Sequence, residues 1–397
     1  MLASEVAQCA PVEQIITQRL RADPQLDFID RRIDEAKAER RNVKALWRPQ
    51  VSTYLNSGIG SNGLAETQLG NQIGFEGRQR VFDFGDARRR AAFADAEISA
   101  READRSEAQF DLIDETIGLY YDIVRADELI ALSQNSQAIL ADRLATSEAL
   151  LDDNLSTRSE VFALRMELQK ERSDEALARL NRASATDRLE IMTGQKPNVC
   201  HGRPSLGAPV EISDSLLAIA EHDPAVQAAF REVEAASQAL EIEKKSRLPV
   251  IEIVGRSGYA GTDFDDWGYE DRLSVSVRVP LYAGGQIEAG ADKARARMAQ
   301  AQAVLDQEKR EAKVRVQVFQ QKIISLNERL DLINLAIQNS LLERESIQTR
   351  IDLNAGTLLT FFEAHRRYVT LERDRIDTKR ELEINNAQLR ARLKTIG

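Results

Sequence analysis

A chain of 397 residues with a formal charge of −10, 43% hydrophobic, 5% aromatic and 30% charged side chains has the composition of long amphipathic helices. The acidic balance leaves no basic face for phosphate contacts, which excludes nucleic-acid binding. No run of 18 apolar residues occurs, which excludes a membrane-spanning helix on length but leaves a spanning barrel open.

The opening, MLASEVAQCAPVEQ, has neither a charged leader nor an apolar core, so a secretory signal is not expected within it, and one removed beforehand is the alternative. Gln8 stands before Cys9 where a lipoprotein cleavage site wants a small residue, which disfavours a lipid-bearing cysteine. Cys9 and Cys200 flank the first half of the chain. Either they form a disulfide that clips its ends together in an oxidising compartment, or they are two unpaired thiols.

From Val12 to Ala45 the pattern is helical, with a break expected at Asp23-Pro24, because proline removes a backbone donor and clashes with the preceding turn. Strands are expected at about 49–61 and 68–81, joined by the turn-rich segment SNGLAET. In the second of them Ile73 and Phe75 share one face and Gln72, Glu76 and Arg78 the other. A helical pattern then runs from about Asp86 to Leu151, with Ile113, Ile117, Tyr120 and Val124 forming a lengthwise stripe. About 65 residues at 1.5 Å each reach roughly 100 Å, too long for burial in a compact core. Asn154 suits a sharp turn, after which a returning helix continues to about Met192.

The series then repeats about 200 residues on, so the chain reads as two structural repeats, 1–200 and 201–397. Asp23-Pro24 recurs as Asp223-Pro224, Pro49 as Pro249, Asn154 as Asn354, and Phe82-Asp83-Phe84-Gly85 aligns with Leu281-Tyr282-Ala283-Gly284 at an offset of 199. The second copy predicts a helix from Leu216 to Lys245, strands at about 249–261 and 271–281, a long helix from Gln286 to Leu353 and a return to Leu393. Leu273, Val275, Val277 and Val279 alternate with Ser274, Ser276 and Arg278, and Ile323, Leu326, Leu330, Ile333, Ile337 and Leu341 form the helix stripe.

Strands of about 10 residues match the length that crosses a bilayer in a barrel, yet four cannot close one. An open sheet in hydrocarbon leaves backbone groups unpaired, so a spanning sheet requires several copies, a dimer giving 8 strands and a trimer 12. The alternative is a soluble sheet capping a coiled coil. No catalytic constellation emerges: His201, His222 and His365 are scattered, no metal spacing occurs, and no cofactor is expected.

These motifs resemble the TolC family of outer-membrane efflux and type I secretion ducts, also called outer membrane factors. The likeness runs from about Pro11 to Leu393. Asp23-Pro24 and Asp223-Pro224 stand where the family has Asn-Pro, and Pro280-Leu281-Tyr282-Ala283-Gly284-Gly285 matches its strand-to-helix signature. Residues Asn354 to Ala364 align with its tip motif, with Asn354 in the place of a glycine, Glu363 matching the second acid and Thr360 standing where the first acid often lies.

The resemblance implies a mainly α protein with β, a homotrimer whose four strands per protomer close a 12-stranded transmembrane barrel continuous with a 12-helix periplasmic α-barrel. It implies a passive duct in the outer-membrane lipid, working with a periplasmic adaptor (membrane fusion protein) and an inner-membrane transporter of ABC or RND type. Glu363, Thr360, Asp352 and Glu160 would line a periplasmic aperture, and Asn154, Leu155, Ser156, Thr157, Asn354, Gly356, Thr357 and Leu358 would meet the adaptor. Type I protein secretion and small-molecule efflux both use such a duct, and secretion is the preferred reading of the cargo. Competing readings are a periplasmic adaptor, which carries one hairpin rather than two, and a soluble coiled-coil scaffold, which needs no alternating strands.

Overall fold

A computed structural model of the chain describes residues 10–60, 68–152, 157–199, 220–261, 267–353 and 357–394. Among the described residues it is mainly helical, with one sheet. In chain order the elements are α1 (Val12–Ala22), α2 (Pro24–Ala45), β1 (Gln50–Gly60), β2 (Gln68–Phe82), α3 (Asp86–Asp152), α4 (Arg158–Thr193), α5 (Pro224–Lys244), β3 (Val250–Gly261), β4 (Gly268–Arg278), α6 (Gln286–Asp352) and α7 (Leu358–Lys394). Both α3 and α6 contain 67 residues. Two compact units result: residues 28–106 with 224–310, and residues 1–27 with 107–223 and 311–397.

The interruption expected at Asp23-Pro24 separates α1 from α2. Asp23 is extended (φ −76, ψ 121), and its Oδ1 accepts the Gln25 amide at 2.7 Å, supplying the cap that a helix start needs. Its other oxygen meets Arg19 at 2.6 Å.

The first unit named contains the sheet, an antiparallel meander ordered β1-β2-β3-β4. β4 corrects the expected 271–281: it begins and ends earlier, at Gly268 and Arg278. Its last rung pairs Arg278 with Val250. The next hydrogen-bonded residue of β4 would be Pro280, two positions on, and proline has no amide to extend the ladder.

The strand-to-helix junction also corrects a register. Letters align Gly85 with Gly284, but conformation aligns Phe84 with Gly284, because Phe84 (φ 52) and Gly85 (φ 80) are left-handed, as are Gly284 (φ 59) and Gly285 (φ 85). The Asp86 amide bonds Asp83 O at 3.0 Å, as the Gln286 amide bonds Ala283 O at 3.1 Å. The offset is therefore 200, not 199. A left-handed phenylalanine costs about 1–2 kcal/mol. Buried Asp83 holds it there by accepting the amides of Gly85 at 3.0 Å and Ala87 at 2.9 Å.

The other unit is cored by Val12 and Ile15 of α1, Ile117, Tyr120, Tyr121 and Ile123 of α3, Leu189 of α4 and Ala387 of α7. The α3 stripe is buried as expected at Ile117, Tyr120 and Val124, with Ile113 partly so. On α6, Ile323, Leu326 and Ile337 are buried, but Leu341 is 37% exposed and Ser340 takes the inward place. A straight helix of 3.6 residues per turn drifts away from a 3.5-residue stripe, so the face passes from one residue to its neighbour.

Candidate functional site

Partners across each ladder share a face, so the register sorts the sheet into two surfaces. One carries Val51, Leu55, Ile73, Phe75, Ile251, Ile253, Tyr259, Leu273, Val275 and Val277. Val51, Leu55, Phe75, Leu273 and Val275 are 65–80% exposed there, an apolar surface with no cover among the described residues. The other carries Gln50, Ser52, Tyr54, Gln72, Glu76, Arg78, Glu252, Arg256, Glu270, Arg272, Ser274, Ser276 and Arg278. Both alternations read from the sequence hold in the ladders.

The polar face is cross-linked. Glu76, almost fully buried, takes a short bond from Arg78 on its own strand and one from Arg256 Nε at 2.5 Å across the ladder. Arg272 reaches Glu270 at 2.6 Å. One rung on, Gly74 faces Gly258, with Tyr54 and Glu270 completing the row.

At the far ends of the long helices, Thr157 caps α4. Its Oγ1 accepts the Glu160 amide at 3.3 Å, while the Thr157 amide donates to Glu160 Oε2 at 3.1 Å. This reciprocal pair is a capping box, so the Glu160 carboxylate is engaged in starting a helix. In the second half Thr357 and Thr360 occupy the same spacing, and Thr360 Oγ1 donates to Thr357 O at 2.6 Å. Glu363 is exposed one turn further along α7, Leu358 opens that helix, and Asp352 ends α6. Asn154, Leu155, Ser156, Asn354 and Gly356 lie outside the described residues, as do Cys9 and Cys200. Their neighbours Ala10 and Val199 form a parallel bridge, with the Ala10 amide 2.6 Å from Asn198 O.

Between the helices runs a polar layer that sequence reasoning missed. Glu171 of α4 is 1% exposed, and both its oxygens accept from Arg373 of α7 at 3.0 and 3.1 Å; Arg373 also meets Asp174 at 2.7 Å. A signal existed, since Glu171 continues the spacing of buried Leu164 and Leu168 and puts a carboxylate on an apolar stripe.

His365, 2% exposed, lies against Phe361 with near-parallel rings and has Ser136 Oγ 2.9 Å from Nε2. Burial first, then the nearby Arg344 charge, pulls its pKa from 6.5 to about 4. The native state therefore binds fewer protons than the unfolded one between those values. Its contribution to stability is present above about pH 6.5 and is lost as pH falls toward 4. His365→Gln should flatten that part of the melting-temperature profile, and an unchanged acid slope would assign it to other groups.

The outer membrane efflux protein family profile matches residues 217–393. The outer membrane efflux protein BepC of Brucella suis biovar 1 (strain 1330) is 22% identical over 274 residues, covering 66% of this chain and 59% of the relative's own length. Among solved structures, CusC superposes with a TM-score of 0.86 at 17% identity, over 97% of this chain and 92% of that one. VceC of Vibrio cholerae gives 0.81 at 16% identity, over 96% and 95%. The open-state MtrE outer membrane channel of Neisseria gonorrhoeae gives 0.76 at 18% identity, over 96% and 88%. Residues 217–393 thus match the outer membrane efflux protein family, and the fold of the chain is that of the outer membrane proteins CusC, VceC and MtrE.

Proposed function

We propose that the chain is one protomer of a trimeric outer-membrane efflux duct, built from tandem copies 1–200 and 201–397. The observation that carries the reading is the sheet, which has an uncovered apolar face, a charged opposite face, and edge strands β1 and β4 with no further strand beside them among the described residues. A soluble scaffold gains nothing from such an apolar surface, whereas hydrocarbon requires it and forbids open edges. Joining β4 of one copy to β1 of the next keeps the ladder antiparallel, and three copies make a 12-stranded barrel.

Exposed apolar positions on the helices support the same assembly. Phe162, Met166, Leu177, Leu180 and Ile191 lie along α4, and Val314, Val318, Leu332, Leu335 and Leu342 along α6. Two different uncovered surfaces suit a head-to-tail ring, here a 12-helix periplasmic α-barrel. The proposed partners are a periplasmic adaptor, contacting the tips at residues 154–157, 354, 356, 357 and 358, and an inner-membrane transporter of ABC or RND type. The family description favours efflux over protein secretion as the cargo class.

Glu363 is proposed as the principal acid of a periplasmic aperture, with Thr360, Asp352 and Glu160 beside it. Repeated by symmetry, a carboxylate ring attracts cations. Glu363→Ala should raise single-channel conductance or lower cation preference, and unchanged currents would remove Glu363 from the aperture.

The Cys9–Cys200 disulfide is proposed on the bridge between their neighbours Ala10 and Val199. Reduction should slow migration on non-reducing gels, and equal mobility would argue for free thiols. The duct itself is tested by the mass of the detergent-extracted protein and its planar-bilayer conductance. A conducting trimer is expected; a water-soluble monomer without conductance would refute the reading.

A further inference from the structure

We infer that the polar face of the sheet holds a recognition site for anionic groups, carboxylate or phosphate, on passing cargo, centred on Arg256 and Arg272. The inference rests on the reading of that face as a duct wall.

Arg256 and Arg272 stand directly opposite each other on β3 and β4. Like charges in that position destabilise a ladder, so the pair costs the sheet something that a neutral residue would avoid. Each guanidinium has a glutamate beside it, at 2.5 Å for Arg256 with Glu76 and 2.6 Å for Arg272 with Glu270. Glu76 is shared with Arg78, leaving two carboxylates among three guanidiniums.

The two arginines also line a recess of about 70 Å³ with Tyr54, Gln72, Gly258, Ala260 and Glu270. Its floor is kept low because a Cβ at Gly258 would collide with the backbone of β2. Guanidinium forks match carboxylate and phosphate oxygens in pairs, and the Tyr54 hydroxyl and Gln72 amide add neutral donors at the rim.

The surrounding face has the same sign. Arg78, Arg80, Arg256, Arg272 and Arg278 stand against Glu76, Glu252 and Glu270 on it, an excess of positive charge in a chain whose net charge is −10. Arg272 and Arg278 are exposed, so an anion meeting them exchanges readily, as conduction requires.

The test uses the purified assembly in planar bilayers under a dilute KCl gradient, where the screening length reaches about 30 Å. Arg256→Gln/Arg272→Gln should lower the chloride-to-potassium permeability ratio about twofold or more, and millimolar inorganic phosphate should reduce current through the parent but not through this variant. Arg278→Gln, on the same face but outside the recess, should shift the ratio and leave the phosphate effect intact. Should the double variant fail to assemble, Arg272→Gln alone, at an exposed position, carries the test. An unchanged ratio, or phosphate block persisting without the pair, would overturn the site. Absence of conductance from the parent assembly would overturn the duct reading and this inference with it.

Discussion

Gly258→Val is expected to prevent assembly of the sheet and to leave little detergent-stable oligomer. A Cβ at this position would run into the Ile73 carbonyl oxygen and stand 2.7 Å from Gly74 Cα, and the reciprocal Cβ at Gly74 would stand 2.8 Å from Gly258 Cα. All three obstacles are backbone atoms in the middle of a ladder, so no rotamer change relieves them. The strands β2 and β3 would have to separate, with loss of neighbouring ladder bonds and a destabilisation of about 4 kcal/mol or more. Gly58→Ala is the control, because a Cβ there meets nothing within 4 Å. Oligomer yield and thermal melting should fall for Gly258→Val and stay near the parent for Gly58→Ala; similar behaviour of the two would refute the close-approach argument.

Arg373→Ala is expected to weaken the helical unit by about 3–5 kcal/mol, because it strands Glu171 as an unpaired buried charge. Burial already pushes the Glu171 carboxyl above its ordinary range, against the opposing pull of Arg373. Without the guanidinium that rise grows, and a carboxyl with a raised folded pKa stabilises below its unfolded value and loses that contribution as pH rises. The variant should therefore recover part of its lost stability as pH is lowered toward the carboxylate range, a slope opposite in sign to that of His365. Glu171→Leu/Arg373→Leu should melt well above Arg373→Ala, since apolar replacement of a buried pair is often near neutral. If single and double variants melt alike, the pair is not coupled.

Much of the fold was legible because it rests on short-range rules. Alternation over Leu273–Val279 assigned the sheet faces, and Asp23-Pro24 announced the break between α1 and α2, each through a property of one or two adjacent residues. Registers and ends were less legible. Phe84 occupies a left-handed position that favours glycine, so letters alone slipped the junction by one, and β4 ends at Arg278, two residues before Pro280, although the expected strand ran through that proline.

The candidate sites divided along the same line. Thr157 and Glu160 carry the spacing of a capping box, a local pattern that competes with a pore role for the same carboxylate. The Glu171–Arg373 pair joins residues 202 positions apart, and the burial of His365 depends on packing against Ser136 on another helix. Composition and periodicity do not encode such pairings.

The two edge strands of the sheet have a genetic consequence. A proline within β4, at Val275, would remove an amide from one edge while leaving the chain able to offer its opposite edge to a normal copy. If the proposed ring forms, such an allele would be dominant over the normal one when co-expressed, because a single defective chain would spoil every ring that it entered.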